Sequence, residues 1–183
     1  KNHAVSAVYQ PGTGYRYSGG GTMVQQLIIE QTMKQSFSQS ANTLLFSPLK
    51  MQRSSFINPL PVEFGNIAKA HNKYGKLTAL PRGWETMPEQ AASGLWTSAF
   101  DLGIMLEAMF NSYNLGSNTF LKETLSKDMM TPENNSKYGL GPKLNGKVFS
   151  HGGANDSYRA YIQGNLLTGN GFVILTNSSS GDS

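Results

Sequence analysis

Two glycine-flanked clusters hold the residues of this sequence best suited to moving protons. The first is Tyr17-Ser18-Gly19-Gly20-Gly21, which follows Pro11-Gly12-Thr13-Gly14-Tyr15-Arg16. It sets a phenol beside a hydroxyl at the end of a Pro/Gly turn, and glycines allow a backbone to press close to a ligand. The second is Ser150-His151-Gly152-Gly153-Ala154, an imidazole before two glycines inside strand-like sequence. Imidazole is the side chain that most readily changes charge near neutral pH. His3, His71 and His151 show no metal-ligand spacing, so neither a metal nor a cofactor is expected.

The surrounding elements must bring these clusters together. Residues 1–21 read as an extended loop, with Thr22 as the cap of a helix whose apolar positions are Met23, Val24, Leu27, Ile28 and Met33. A second helix is expected over Phe37 to Phe46, before Pro48. Prolines and glycines from Pro59 to Pro88 punctuate an irregular segment with extended pieces at Ile67–His71 and Lys76–Leu80. The clearest helix runs from a Thr97 or Ser98 cap to about Asn111. Asp101 sits in its first turn, and its buried stripe is Phe100, Ile104, Met105, Ala108 and Met109. A shorter helix is expected over Phe120 to Met130. Three strands follow at Val148–Ser150, Tyr158–Leu167 and Gly171–Thr176, and their short connections make neighbours antiparallel. Phe172-Val173-Ile174-Leu175 is apolar on both sides, as in a strand covered on both faces. The division read here is a mainly helical portion over 1–137 and a strand portion over 138–183.

Composition narrows the function classes. The 183 residues are 38% hydrophobic and 10% aromatic, which suits a globular core. No apolar run is long enough for a membrane span, and no signal peptide opens the chain; an export signal, if any, is expected upstream. With no cysteine, disulfides and thiolate chemistry are excluded. The net charge of +4 comes from scattered lysines and arginines, so a solvated basic surface is expected rather than a nucleic-acid site. Trp84, Trp96, Met105 and Met109 read as packing residues, and Arg159 as a surface ion-pair partner.

Several stretches, in order, resemble the serine β-lactamase/penicillin-binding-protein superfamily, most closely its class C and esterase-like branch. PGTGYRYSGGG resembles its tyrosine motif, usually Tyr-x-Asn, and SHGGANDSYRAYI its Lys-Thr-Gly or His-x-Gly motif. LLFSPLKM resembles the segment ending in Pro-Leu-Gly-Met, and ASGLWTSAFDLGIML the family's glycine-to-helix passage. KYGLG resembles a short strand before the last motif, and GFVILTN the final strand.

The resemblance implies an α+β fold, an antiparallel sheet flanked by helices with a helical lobe, and a serine hydrolase that forms an acyl-enzyme. Its nucleophile would lie on a Ser-x-x-Lys segment upstream of this chain, because only sixteen residues precede Tyr17. Residues 1–183 alone are then expected to be inactive. The literal Ser47-Pro48-Leu49-Lys50 follows the tyrosine and aligns with the Pro-Leu-Gly-Met segment, so it is read as a chance match.

The resemblance makes Tyr17 the general base or proton relay. A phenol with an ordinary pKa of about 10 needs nearby positive charge for this. His151 stands where many members have lysine. Gly19 replaces the usual asparagine, Gly152 the usual threonine, Gly153 keeps the motif's glycine, and the Ala154 N–H would form half of an oxyanion hole. Ser18 is read as structural. The substrate would be a β-lactam, a D-amino-acid peptide or a small ester, with no nucleic-acid partner and a periplasmic or secreted location. A non-catalytic peptide- or ligand-binding module on the same fold is the alternative.

Overall fold

The computed structural model describes residues 5–116, 120–134 and 136–181. Helix α1 spans Gly19–Met33 and begins four residues earlier than the sequence suggests. Ser18, in extended conformation, is its cap and accepts a hydrogen bond from the Gly21 N–H at 3.0 Å. The three glycines therefore form the first helical turn, not a loop. Thr22, the expected cap, instead donates its hydroxyl to the Ser18 carbonyl. A serine oxygen satisfying a free N–H of the first turn outweighs the weak helix preference of glycine.

Helix α2 covers only Phe37–Ala41, opened by a reciprocal Ser36–Gln39 capping box. The expected continuation to Phe46 is a π-helical turn over Asn42–Phe46, which buries Phe46 against Phe56. The irregular stretch that follows holds one 3₁₀ turn at Val62–Phe64 and a short helix α3 at Gln90–Ser93 that the sequence pattern does not signal. In place of the two extended pieces there are isolated bridges from His71, antiparallel to Leu77 and parallel to Ser178.

Helix α4, Ala99–Asn114, is capped by Ser98, whose Oγ accepts from the Asp101 N–H. Asp101 is 2% exposed. Its Oδ2 accepts the Arg53 N–H at 2.8 Å and the Ser54 hydroxyl at 2.7 Å, tying the 51–55 turn to the start of α4. The buried side of α4 differs from the expected stripe. Leu102 and Leu106 are buried with Ala108 and Met109, whereas Phe100 is 78% exposed. Apolar residues occur around much of this helix, so its pattern alone does not fix which stripe faces inward. Helix α5 is Glu123–Met129.

Four antiparallel strands form one sheet in the order β1 (Lys143–Asn145), β2 (Val148–Ala154), β3 (Arg159–Asn165) and β4 (Gly171–Thr176). β2 runs four residues beyond the expected strand, so the His-Gly-Gly cluster is itself strand. Within the KYGLG stretch, Tyr138 makes only a single bridge to Lys143, and the strand proper begins at Lys143. One core joins helices and sheet: Leu106, Met109 and Met130 pack with Leu144, Phe149 and Leu166. Ile162 and Val173 pack against it from the same sheet face.

β4 is one of the two edge strands among the described residues. Its Val173 faces that core, but Phe172 and Ile174 on the other face are 45% and 51% exposed. The expectation of cover on both faces is therefore not met here. An apolar pattern records what a strand can bury, not what lies upon it.

Gly164 is where the sheet admits the core aromatic. A Cβ there would come within 2.4 Å of the buried Phe149 ring. Gly164→Ala is expected to lower stability by about 1–3 kcal/mol through overpacking. A denaturant midpoint unchanged from wild type would refute this.

Candidate active site

The site begins with how β1 stops. Lys143 pairs with Ser150 of β2, and the residues that would continue the pairing are Pro142 and Gly141. Pro142 falls opposite His151 with its carbonyl turned to the Gly139 N–H, and Gly141, at φ 125°, donates its N–H to Gly139 O at 2.8 Å rather than to β2. Among the described residues β2 therefore has an unpaired edge over His151–Ala154.

The register determines which N–H groups face that edge. The Asn155 N–H donates to Tyr158 O and the Leu166 N–H to Lys147 O, so odd-numbered β2 residues exchange hydrogen bonds with β3. Alternation along an antiparallel pair then turns the N–H of Gly152 and of Ala154 away from β3, toward the open edge. An N–H so placed is available to an oxygen that is not part of the sheet.

Tyr17 sits beside the same stretch. Its ring centroid lies 6.2 Å from that of His151, with the planes tilted by 38°. Tyr17 is 62% exposed and His151 is exposed too. The structure thus brings together the two groups that the sequence holds far apart.

Upstream of Tyr17, the Tyr15 ring stacks on Tyr138 with centroids 4.4 Å apart and planes within 10°. Burial pushes the Tyr15 phenol above its ordinary value, and the neighbouring Tyr138 and Tyr17 phenols add to the effect.

The glycines divide by face. Gly153 shares the His151 face, and a Cβ on it would touch the Ala160 Cβ at 3.4 Å. Gly152 lies on the opposite face, beside Tyr161 at 3.9 Å, so a side chain there would lean on Tyr161. Gly19 opens α1, and a Cβ on it would lie 3.7 Å from the Ala92 Cβ of α3. Gly19 is thus beside α3.

Side chains from α1 and the end of β2 hold α3 in place, along with its own Gln90, which donates to Phe56 O at 2.7 Å. Gln26 of α1 accepts the Ala91 N–H, and Asn155 at the end of β2 donates to the Ser93 carbonyl at 3.2 Å. Arg159 donates to the Tyr158 carbonyl at 3.0 Å and also to that of Asn155, bracing the β2–β3 turn. Tyr158 packs edge-on against Trp96 and donates its hydroxyl to Ala68 O. Burial, with the nearby Glu85 carboxylate, pushes that phenol up to about 12, so it remains a neutral donor at physiological pH.

Ser47 and Lys50 do not form a helical Ser-x-x-Lys pair. Ser47 ends the π-helical turn with its hydroxyl donating to Asn42 Oδ1, and Lys50 is left-handed at φ 57°. Among the described residues no group of three histidine or acidic side chains is placed to hold a metal; His3 lies outside them.

The sequence reading missed Tyr15, Tyr138 and Asn155. For Tyr15 a signal existed, since Tyr-x-Tyr in an extended segment points both phenols the same way.

An antiparallel sheet with helices packed on one face and helical segments at the open end of its central strands is the β-lactamase/transpeptidase fold. The chain belongs to the Beta-lactamase family, whose profile matches residues 3–183. Among solved structures it is similar to the octameric penicillin-binding protein homologue from Pyrococcus abyssi, with a TM-score of 0.76 at 23% identity, covering 94% of this chain and 41% of that one. It is also similar to the penicillin-binding protein from Bacillus halodurans, with a TM-score of 0.71 at 18% identity, covering 94% and 54%. For D-amino acid amidase from Ochrobactrum anthropi SV3 in complex with L-phenylalanine, the TM-score is 0.72 at 19% identity, covering 93% and 51%. The chain thus spans about half the length of these structures. No curated protein matches it in sequence.

Proposed function

We propose that the intact protein is a serine hydrolase acting through an acyl-enzyme, with a preference for small esters or D-amino-acid peptides over β-lactams. The observation that supports this best is the meeting of the Tyr17 phenol and the His151 imidazole at the one stretch of β2 whose edge is open. In this reading a serine from a Ser-x-x-Lys segment of the intact protein attacks the acyl carbonyl, and its proton passes to the oxygen of a Tyr17 phenolate, which the lysine of that segment would hold ionised. The Ala154 N–H stabilises the oxyanion as the tetrahedral intermediate forms. Tyr17 then returns the proton to the leaving group as its bond to the acyl carbon breaks, and water releases the acyl group by the same steps in reverse. His151 donates a hydrogen bond into the site or relays the proton onward.

The substrate preference rests on what the site lacks. Gly19 brings no amide to bind an acyl group, and Gly152 no hydroxyl to hold a carboxylate. The intact protein is expected to take a single fluorophosphonate adduct, seen by intact mass. It should also turn over a short-chain nitrophenyl ester with higher kcat/KM than a chromogenic cephalosporin. Preference for the cephalosporin would refute the substrate assignment. A well-folded protein that takes no adduct would establish a non-catalytic binding module instead.

A further inference from the structure

We infer that Tyr15 and Tyr138 are positioning residues, whose stacked rings set the register in which the Tyr17 phenol faces His151. The kinetic side of this inference rests on the hydrolase reading above; the geometric side does not.

Residues 14–18 run without helix or sheet pairing, and Ser18 is extended at φ −151°, ψ 114°. In such a segment side chains two apart leave on the same side, and the one between leaves on the other. The contacts agree with this. Tyr15 meets Tyr138 and Tyr17 meets His151, while Arg16 donates to the Tyr9 hydroxyl at 3.1 Å.

Exposed as it is, Tyr17 has little burial of its own to hold it. The Ser18 cap fixes the chain just downstream, and the Tyr15–Tyr138 stack fixes it just upstream. The far side of that stack is firm. The Tyr138 carbonyl accepts from the Glu133 N–H at 2.8 Å and the Ser136 hydroxyl at 3.1 Å. Tyr138 also bridges to Lys143, which pairs with Ser150, the residue next to His151. The phenol of Tyr17 and the imidazole of His151 are thus referenced to one strand through a ring stack. A slip of one residue would turn Tyr17 to the wrong side.

Stacked aromatic faces, not a hydroxyl, make this contact, so phenylalanine should replace either tyrosine and alanine should not. The test uses the intact protein with Tyr15→Ala, Tyr138→Ala, the double alanine variant, and the two phenylalanine variants. In each alanine variant kcat on the nitrophenyl ester is expected to fall by about tenfold or more with KM within about twofold, because a misplaced proton acceptor slows chemistry more than binding. The double variant should lose no more than either single one, as partners in one contact do. Both phenylalanine variants should keep wild-type kcat.

Tryptic cleavage between Arg16 and Tyr17 supplies a readout independent of activity, since it reports local opening of this segment. It is expected to accelerate several-fold in the alanine variants and not in the phenylalanine ones. Alanine variants with wild-type cleavage, or phenylalanine variants as impaired as alanine, would overturn the inference. If the wild-type protein hydrolyses nothing yet the cleavage pattern holds, the hydrolase reading fails and the positioning role stands.

Discussion

Tyr17→Phe is expected to lower kcat on the preferred ester by about 10²–10⁴-fold, the range for losing a positioned acid–base group. The change deletes one oxygen and keeps the ring that faces His151. Because Tyr17 is mostly exposed, that oxygen is not a buried partner whose loss would strain the fold, and the unfolding midpoint should stay within about 0.5 kcal/mol of wild type. The two readouts separate chemistry from folding. Fluorophosphonate labelling should slow in parallel with kcat, since both need the serine proton removed. A Tyr17→Phe protein with wild-type turnover would move the proton-accepting role elsewhere, with His151 the first alternative.

The second large effect concerns stability. Asp101→Ala is expected to cost about 3 kcal/mol, because it leaves the Arg53 N–H and the Ser54 hydroxyl without their shared acceptor in a dry site. Asp101→Asn keeps an acceptor oxygen and should cost less. Urea denaturation of the two variants measures both values. The loss would reach the site indirectly: Ser55 bridges to Trp96, and Trp96 packs on Tyr158 at the turn after β2. A loss under about 1 kcal/mol for Asp101→Ala would show that water replaces the carboxylate.

What could be read from the sequence, and what could not, follows from the range of each signal. The strands at 159–165 and 171–176 were legible because alternation and turn residues are local. Helix α4 was legible for the same reason, with Ser98 and Asp101 marking its start. Its buried side was not, since Phe100 and Leu102 are both apolar and only tertiary packing decides between them. The start of α1 was misplaced because three glycines resemble a loop, while the deciding Ser18–Gly21 bond depends on one residue's dihedral angles. β1 is three residues long and was invisible as a period.

At the site, Tyr17 and His151 stood out by type and by their glycine neighbours. That they face each other depends on long-range packing. The stack of Tyr15 on Tyr138 joins residues more than a hundred positions apart, so no local pattern announces it.

An open edge on β2 bears on how such a site changes over time. The direction of the Ala154 N–H is a property of main-chain pairing with β3, not of any side chain lining the gap. Residues such as Gly19, His151 and Gly152 can therefore be exchanged, altering substrate or acid–base chemistry, without disturbing that donor. Alanine scanning of the lining residues would leave the opening intact. In the proposed hydrolase the main-chain donor and the choice of substrate can then drift separately, the first set by the β2–β3 register, the second free to vary.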